Sequence, residues 1–298
     1  MEGLPLTAVV VNLDGGAMLD ACLEALQAER PAELLVVDNG SGAGELARLA
    51  SRPGLRVLRL PSNQGFAGPA TLGVSEASTP WVALVNNDCV VERGYLARCV
   101  EALSADAGLA AVQGVVLDGE GRLVDGCGVA WNARAEAVQI RHLTEPPGPE
   151  TPPFPVAGVS ATAAVYRRDA FLAAGGFPAS YFAYYEDADL SLRLLRRGFR
   201  FACLPAARAR HLGSVTGRRD PARRWRRLLG NRLRTLRRNL ERPPHGLLLP
   251  SAMRRAAAEL GGARALAMAA GALRDVRRSL REDDEARATA PLLRALPV

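Results

Sequence analysis

The chain has 298 residues, 48% hydrophobic and 23% charged, enough to bury one large core and ordinary for a globular protein. That composition excludes a wholly disordered chain, and no apolar run approaches the ~20 residues that span a bilayer. The net charge of +7 arises at one end: residues 1–217 carry 18 Arg against 23 acids, residues 218–298 carry 20 Arg against 8, and lysine is absent. The start lacks a basic segment followed by a long apolar stretch, so no signal peptide is expected. Five cysteines without a CxxC pair suit neither a zinc site nor a disulfide framework, and a reducing cytoplasm is the plain reading.

The first hundred residues alternate strand and helix signals. Leu6–Asn12 is a β-branched run ended by Leu13-Asp14-Gly15-Gly16, and Leu19, Leu23 and Leu26 then recur at helical spacing. Glu33–Asp38, Leu55–Leu60 and Pro80–Val85 read as further buried strands, with a helix over Ala67–Ala77. Repeated βαβ units imply a parallel sheet, whose ligands bind at the carboxyl ends of its strands. Asp38 and the triplet Asn86-Asn87-Asp88 stand at such ends. Beyond residue 109 the pattern predicts strands over Leu109–Leu117 and Val156–Tyr166, separated by an exposed Pro-rich loop from Pro146 to Pro155. Gly175-Gly176-Phe177 and an aromatic cluster, Tyr181 to Tyr185, precede a helix that starts at Glu186-Asp187 and stops near Gly198. A short strand, Phe199–Leu204, is followed by His211 opening a His-Leu-Gly-Ser turn. The rest divides the chain into a body, 1–217, and a basic helical extension, 218–298, whose last helix spans about 251–283.

Carboxylates gathered at one sheet edge can hold a divalent cation and a diphosphate, and can take a proton from a hydroxyl. Each signal has a plainer alternative. Asp38-Asn39-Gly40-Ser41 and Asn86-Asn87-Asp88 are also turn sequences, acids favour any first helical turn, and a lone histidine is more often structural. Tyrosines ahead of Glu186-Asp187 could wall a sugar pocket, and apolar surroundings raise a carboxylate's pKa as a general base requires. No GxGxxG and no Walker lysine is present.

Taken in order, these segments resemble the inverting glycosyltransferase family 2, and within it the bacterial rhamnosyltransferase-like branch. The resemblance rests on Val9-Val10-Val11-Asn12, Val36 to Ser41, Asn63-Gln64-Gly65-Phe66-Ala67-Gly68, Asn86-Asn87-Asp88, Gly175-Gly176-Phe177, Tyr184 to Leu190 with Arg193, and His211 with Gly213-Ser214. It implies a GT-A fold, a Rossmann-like mixed α/β sheet that binds a nucleotide-sugar, here with a C-terminal helical extension. It further implies Asp187 as catalytic base, with Glu186 contacting the acceptor. Donor contacts would come from Asn12, Asp38, Asn39, Asn63, Gly65, Phe66, Asn86 and Asn87. Asp88 and His211 would be ligands of Mg2+ or Mn2+. The implied partners are a nucleotide diphosphate sugar and a glycan or lipid-linked acceptor, with rhamnose as the branch's sugar; a homodimer is left open. Departures are Asn86 for the usual first acid, Pro69-Ala70-Thr71 after Gly68, and Pro178 after Gly-Gly-Phe.

Residues 218–242 hold 11 Arg against 2 acids, with Leu229, Leu233, Leu236 and Leu240 at helical spacing. This amphipathic helix either packs on the body with a solvated arginine face or attaches to an anionic membrane surface, which would place the chain on the inner face of the membrane. Binding of nucleic acid through the same arginines is the alternative from another class, disfavoured by the acidic body. A nucleotidyltransferase is a second alternative, but the basic glycine-rich loop it needs is missing.

Overall fold

The computed structural model describes residues 3–213, 220–242 and 254–279. Its first half is a parallel α/β unit: β1 (Leu4–Asn12), α1 (Ala17–Ala28), β2 (Pro31–Asp38), α2 (Ala43–Ala50), β3 (Leu55–Arg59), α3 (Ala67–Glu76) and β4 (Trp81–Asn86). β3, β2, β1 and β4 lie side by side and parallel. The near-continuous apolar strands suit a sheet covered on both faces. Side chains alternate across it. Ala8 and Val10 of β1 pack with Leu19, Leu23 and Leu26 of α1, whereas Val9 packs with Ala67, Ala70 and Val74 of α3.

The second half makes the sheet mixed. β5 (Cys89–Val91) and α4 (Tyr95–Ala105) lead to β6 (Leu109–Leu117), then to the short strands β7 (Val124–Gly126), β8 (Val129–Trp131), β9 (Ala137–Gln139) and β10 (Phe154–Val156). β11 (Ala163–Arg167) inserts antiparallel between β4 and β6. α5 (Arg168–Ala173), a 3-10 turn at Ala179–Tyr181 and α6 (Glu186–Arg196) precede β12 (Arg200–His211), which runs parallel to β6.

Three expectations change here. The single strand expected over Val156–Tyr166 is two, because the chain leaves the sheet after β10 and re-enters at Ala163; within the gap, Ser160 donates its N–H to Gln113 Oε1 (2.6 Å) and Thr162 accepts from Asn86 N (2.9 Å). Phe154 and Pro155, expected in an exposed loop, form β10 at the sheet edge, where proline's missing N–H is tolerated. The strand expected over Phe199–Leu204 runs on to His211, so His211 ends a strand and does not open a turn. Pro205 is accommodated because the register to β6 shifts between Leu204 and Arg208.

The boundary expected at 217 lies outside the described residues, as do residues 251–253 and 280–283 of the last expected helix. That helix is divided at Gly261 (φ +80°) into 254–260 and α8 (Gly262–Ser279). α7 (Pro221–Asn239), capped by Asp220, joins one apolar cluster with α8 and with Ala188 and Leu192 of α6. Its packed side is not solely apolar, for Arg232, Arg234 and Arg238 are buried with Asn231 and Asn239.

Candidate active site

The register of the sheet assembles the first part of the site. Asn12 at the end of β1 stands opposite Asp38 at the end of β2, and Val11 opposite Asn86 at the end of β4. Both Asn12 and Asp38 are wholly buried and lie beneath the cleft wall. Asn12 donates from Nδ2 to Glu45 Oε1 (3.0 Å) and accepts at Oδ1 from Asn87 Nδ2 (2.9 Å). Asp38 Oδ2 accepts from the Ser41 N–H (3.2 Å), while its Oδ1 is buried without a protein partner. Asn39 clamps the neighbouring loop: Nδ2 donates to the Gly65 carbonyl (2.6 Å), and Oδ1 accepts from Gln64 N (2.8 Å). Asn63 accepts from the Gly65 N–H (2.8 Å). Gly65 needs its residue type, since φ is +82° and a Cβ would collide with the carbonyl and ring of Phe182.

The second part comes from the meeting of β5 and β12. Their antiparallel register sets His211 opposite Cys89, which brings its ring beside Asp88. Nε2 lies 3.2 Å from Asp88 Oδ1, out of line for a hydrogen bond, and Nδ1 lies 2.9 Å from Asp125 Oδ2. Burial disfavours the histidine cation, but the hydrogen bond between Nδ1 and Asp125 and the negative charges of Asp88 and Asp125 prevail and push its pKa up to about 9. A carboxylate and an imidazole whose other nitrogen is held by a second carboxylate form the arrangement proteins use to orient a metal-ligating histidine. Among the described residues no cluster of three such side chains occurs, and Asp88 and His211 are the two that could contribute ligands here. That donor set fits Mg2+ or Mn2+ completed by phosphate oxygens and water.

The third part is the start of α6. Phe182 (φ +61°), Tyr184 (φ +74°) and Tyr185 (φ +69°) all hold left-handed backbone in the loop before it. The loop is pinned from α7, where Asn231 Nδ2 donates toward the carbonyls of Tyr181 (2.9 Å), Ala183 (3.0 Å) and Tyr184 (2.8 Å). Tyr181 and Thr235 share a hydroxyl contact at 2.9 Å. One turn into α6, the buried Asp189 is held by Arg193 (2.8 Å), Arg238 (3.3 Å) and Asn239 (2.9 Å). Glu186 and Asp187 are thereby aimed into the cleft. Asp187 Oδ2 accepts from the Ala161 N–H (3.3 Å) and Oδ1 from its neighbour Ala188 N (2.7 Å). Glu186 is buried, and its Oε2 has no partner. Burial, then the adjacent Asp187 charge, pushes the Glu186 pKa up to about 8; burial likewise raises that of Asp187 against the pull of its backbone donors.

All three parts open on one cleft of about 750 Å³, lined by Asn39, Asn63, Gly65, Phe66, Asn86, Asn87, Asp88, His211, Glu186 and Asp187. Of the residues read from the sequence, only Asn12 and Asp38 stand behind this wall. Asp125, Glu45, Asn231 and the arginines at the start of α7 escaped that reading. Asp125 sits in Leu123-Val124-Asp125-Gly126, which has no pattern of its own, and Asn231 is one polar residue on a helix dominated by arginine.

A sequence model of the family described as Glycosyl transferase family 2 matches residues 7–173, more than half of the chain. The chain belongs to glycosyl transferase family 2. It is 28% identical over 246 residues, 73% of this chain and 79% of the relative, to an N-acetylglucosaminyl-diphospho-decaprenol L-rhamnosyltransferase of Mycobacterium tuberculosis. Over 106 residues, 34% of this chain and 38% of the relative, it is 31% identical to the lipopolysaccharide core biosynthesis glycosyltransferase LpsC of Rhizobium meliloti. Two solved structures share the GT-A fold. GalNAc-T7, solved with UDP, GalNAc and Mn2+, aligns at TM-score 0.63 and 16% identity over 80% of this chain, which spans about half of that protein (49%). The mannosyltransferase PcManGT of Pyrobaculum calidifontis, in complex with GDP-Man and Mn2+, aligns at TM-score 0.58 and 18% identity over 94% of this chain and 76% of its own. The protein is therefore a glycosyltransferase with a mixed GT-A sheet, and the nucleic-acid and nucleotidyltransferase readings fall away. Among the described residues no helix is long and apolar enough to cross a membrane.

Proposed function

We propose that this family 2 glycosyltransferase moves a sugar from a nucleotide diphosphate donor to a hydroxyl of a glycan or lipid-linked acceptor, by a metal-dependent single displacement with inversion. The observation that carries this reading is the placement of Asp88 and His211 in the same cleft as Glu186 and Asp187. Similarity to the mycobacterial N-acetylglucosaminyl-diphospho-decaprenol L-rhamnosyltransferase supports rhamnose as the sugar and a lipid-linked acceptor.

The roles divide by position. Asp38 offers a buried, unpartnered acceptor, and Asn12 sets the geometry beside it, while Asn39 and Asn63 shape the Gly65-Phe66 loop. Together with Asn86 and Asn87 they hold the nucleoside and ribose. Asp88 and His211 would hold Mg2+ or Mn2+, and the chemistry such an ion would supply there is neutralisation of charge on the leaving diphosphate. Asp187 takes the proton of the acceptor hydroxyl as that oxygen bonds to C1 and the C1–O bond to the diphosphate breaks, the diphosphate leaving with the electron pair. A carboxylate with raised pKa is matched to this task near neutral pH. Glu186 keeps a proton near neutral pH and so can donate a hydrogen bond to the acceptor.

Asp187→Asn tests the base. Turnover should fall at least ~10²-fold, the lower range of a general-base contribution, with donor binding kept. Asp88→Ala should instead weaken Mn2+-dependent donor binding, measured by thermal shift. Wild-type turnover in the first variant, or unchanged Mn2+ dependence in the second, removes the corresponding assignment.

A further inference from the structure

In the apolar run of β6 one side chain is polar. Gln113 is wholly buried, paired on one side with Ala164 of β11 and on the other with Cys203 of β12. An amide in that position costs free energy unless its polar atoms find partners. Its Oε1 accepts from the Ser160 N–H (2.6 Å), while its Nε2 makes long contacts, 3.4 Å to the Gly114 carbonyl and 3.5 Å to that of Gly126. The strong bond is the one to Ser160, in the irregular segment between β10 and β11. That segment ties two parts of the cleft together. Ala161 donates its N–H to Asp187 Oδ2 (3.3 Å), and the Thr162 carbonyl accepts from Asn86 N (2.9 Å). It is also seated against the first turn of α6: a Cβ on Gly158 would lie 2.5 Å from Ser191 Oγ, and that hydroxyl donates to the Asp187 carbonyl (2.8 Å).

The Ser160 side chain completes the arrangement. Its hydroxyl stands in the cleft wall beside Asp187, 3.0 Å from Thr162 Oγ1 and 3.4 Å from Thr162 N. An N–H only donates, so Thr162 N fills one lone pair of Ser160 Oγ. When the Thr162 hydroxyl donates as well, both lone pairs are filled and the single Ser160 proton is left to point at the carboxylate. We propose that Gln113 and Ser160 are positioning residues for Asp187: the buried amide fixes segment 158–162, and the segment presents the Ala161 N–H and the Ser160 hydroxyl to the carboxylate. This rests on the reading of Asp187 as the base. Such donors favour the ionised carboxylate, so they oppose the burial that raises its pKa and keep the base charged in the cleft. The ionisable groups that sense this carboxylate are Glu186 beside it and Tyr166 from β11.

The test reads the carboxyl itself, by NMR titration of the full chain labelled with an NMR-active carbon isotope at the aspartate carboxyl. The parent for the series carries Glu186→Gln, so that one carboxyl of the adjacent pair titrates, and Asp187→Asn in that background identifies the Asp187 signal. Gln113→Met keeps the volume and removes the acceptor; it should move the Asp187 titration midpoint up by about one pH unit. Ser160→Ala should move it up by about half a pH unit or more. Ser191→Ala removes a contact to the Asp187 main chain alone and should leave the midpoint where the parent has it. Circular dichroism checks folding, and should Gln113→Met fail to fold, Ser160→Ala decides. Two results overturn the proposal: an unchanged midpoint in Ser160→Ala or in folded Gln113→Met, or an equal rise in Ser191→Ala, which would mean that any loosening of α6 has this effect. The titration needs no turnover. Failure here leaves sugar transfer standing, and absence of transfer from nucleotide-sugars leaves the titration readable.

Discussion

Asn231 is the residue whose loss should separate positioning from folding. Its Nδ2 carries two hydrogens and serves three carbonyls, those of Tyr181, Ala183 and Tyr184, at 2.8 to 3.0 Å. The backbone it holds contains three non-glycine residues at positive φ, each costing about 1–2 kcal/mol, or roughly 3–6 kcal/mol of strain together. Net hydrogen bonds contribute about 1 kcal/mol each, and buried carbonyls left unpaired cost about 1–3 kcal/mol more. Asn231→Ala should therefore lower stability by about 2–4 kcal/mol, read as a shift of the urea midpoint at constant m. The catalytic effect should exceed what unfolding explains. At a temperature where parent and variant are both folded, kcat should fall about 10- to 100-fold, because Glu186 and Asp187 begin at the end of the released loop. Donor affinity should hold, since Asp38, Asn39 and Asp88 sit on other elements. Asn231→Asp should be worse than alanine, as it sets a carboxylate against three carbonyl oxygens. A fully active, merely less stable Asn231→Ala would refute the idea that this contact positions the carboxylates.

Three further outcomes can be checked independently. Glu186 has a folded pKa of about 8 against an ordinary 4.5, so its contribution to stability is complete below 4.5 and is lost as pH rises through 8. Glu186→Gln should remove that decline, matching the parent at pH 4 in thermal melts and exceeding it at pH 9; parallel pH profiles would contradict the buried, raised carboxyl. Asp125→Asn should weaken Mn2+ affinity about 10- to 100-fold by releasing His211 Nδ1, with the melting temperature in EDTA nearly unchanged. Asp189→Ala strips two arginines of a fully buried partner and should cost about 3–5 kcal/mol in denaturant unfolding; a loss near zero would mean that Arg193 and Arg238 find other acceptors.

Legibility followed the physics of each signal. β1 to β4 and the helices between them could be read because a parallel strand covered on both faces is a continuous apolar run, and such runs are rare by chance. Strand ends then located Asp38 and Asn86 without further assumption. The second half was harder because its strands are short and set by partners far away in sequence. β12 continues through Pro205 only because the register to β6 shifts there, and β5 exists only as the partner of β12. His211 was read as a turn residue for that reason, although the metal-ligand role proposed for it depends on strand pairing. Asp125 is a sharper case, since it acts through His211 across 86 residues and no local pattern marks such a contact.

The arginines show how composition misleads when partners are unseen. Residues 218–242 look like a solvated basic face, yet Arg232 is buried against Glu136 and the Ala135 carbonyl, and Arg234 donates to the Ser180 carbonyl. Arg238 reaches Asp189 inside α6. In a chain without lysine, one residue type has to serve both as surface charge and as buried donor. Guanidinium suits the second use, because it is more weakly hydrated than ammonium and its fixed fork of donors can satisfy several acceptors at once. Charge counting therefore overstated the electrostatic surface of α7, and it missed the division of labour along the helix. The C-terminal half spends its arginines and asparagines on holding the loop before α6 and Asp189 within α6, whereas Arg223 and Arg227 at the N-terminal end face the cleft. The helix Pro221–Asn239 thus holds the loop before Glu186, and the acidic body meets these basic residues at Asp189 and at the mouth of the cleft.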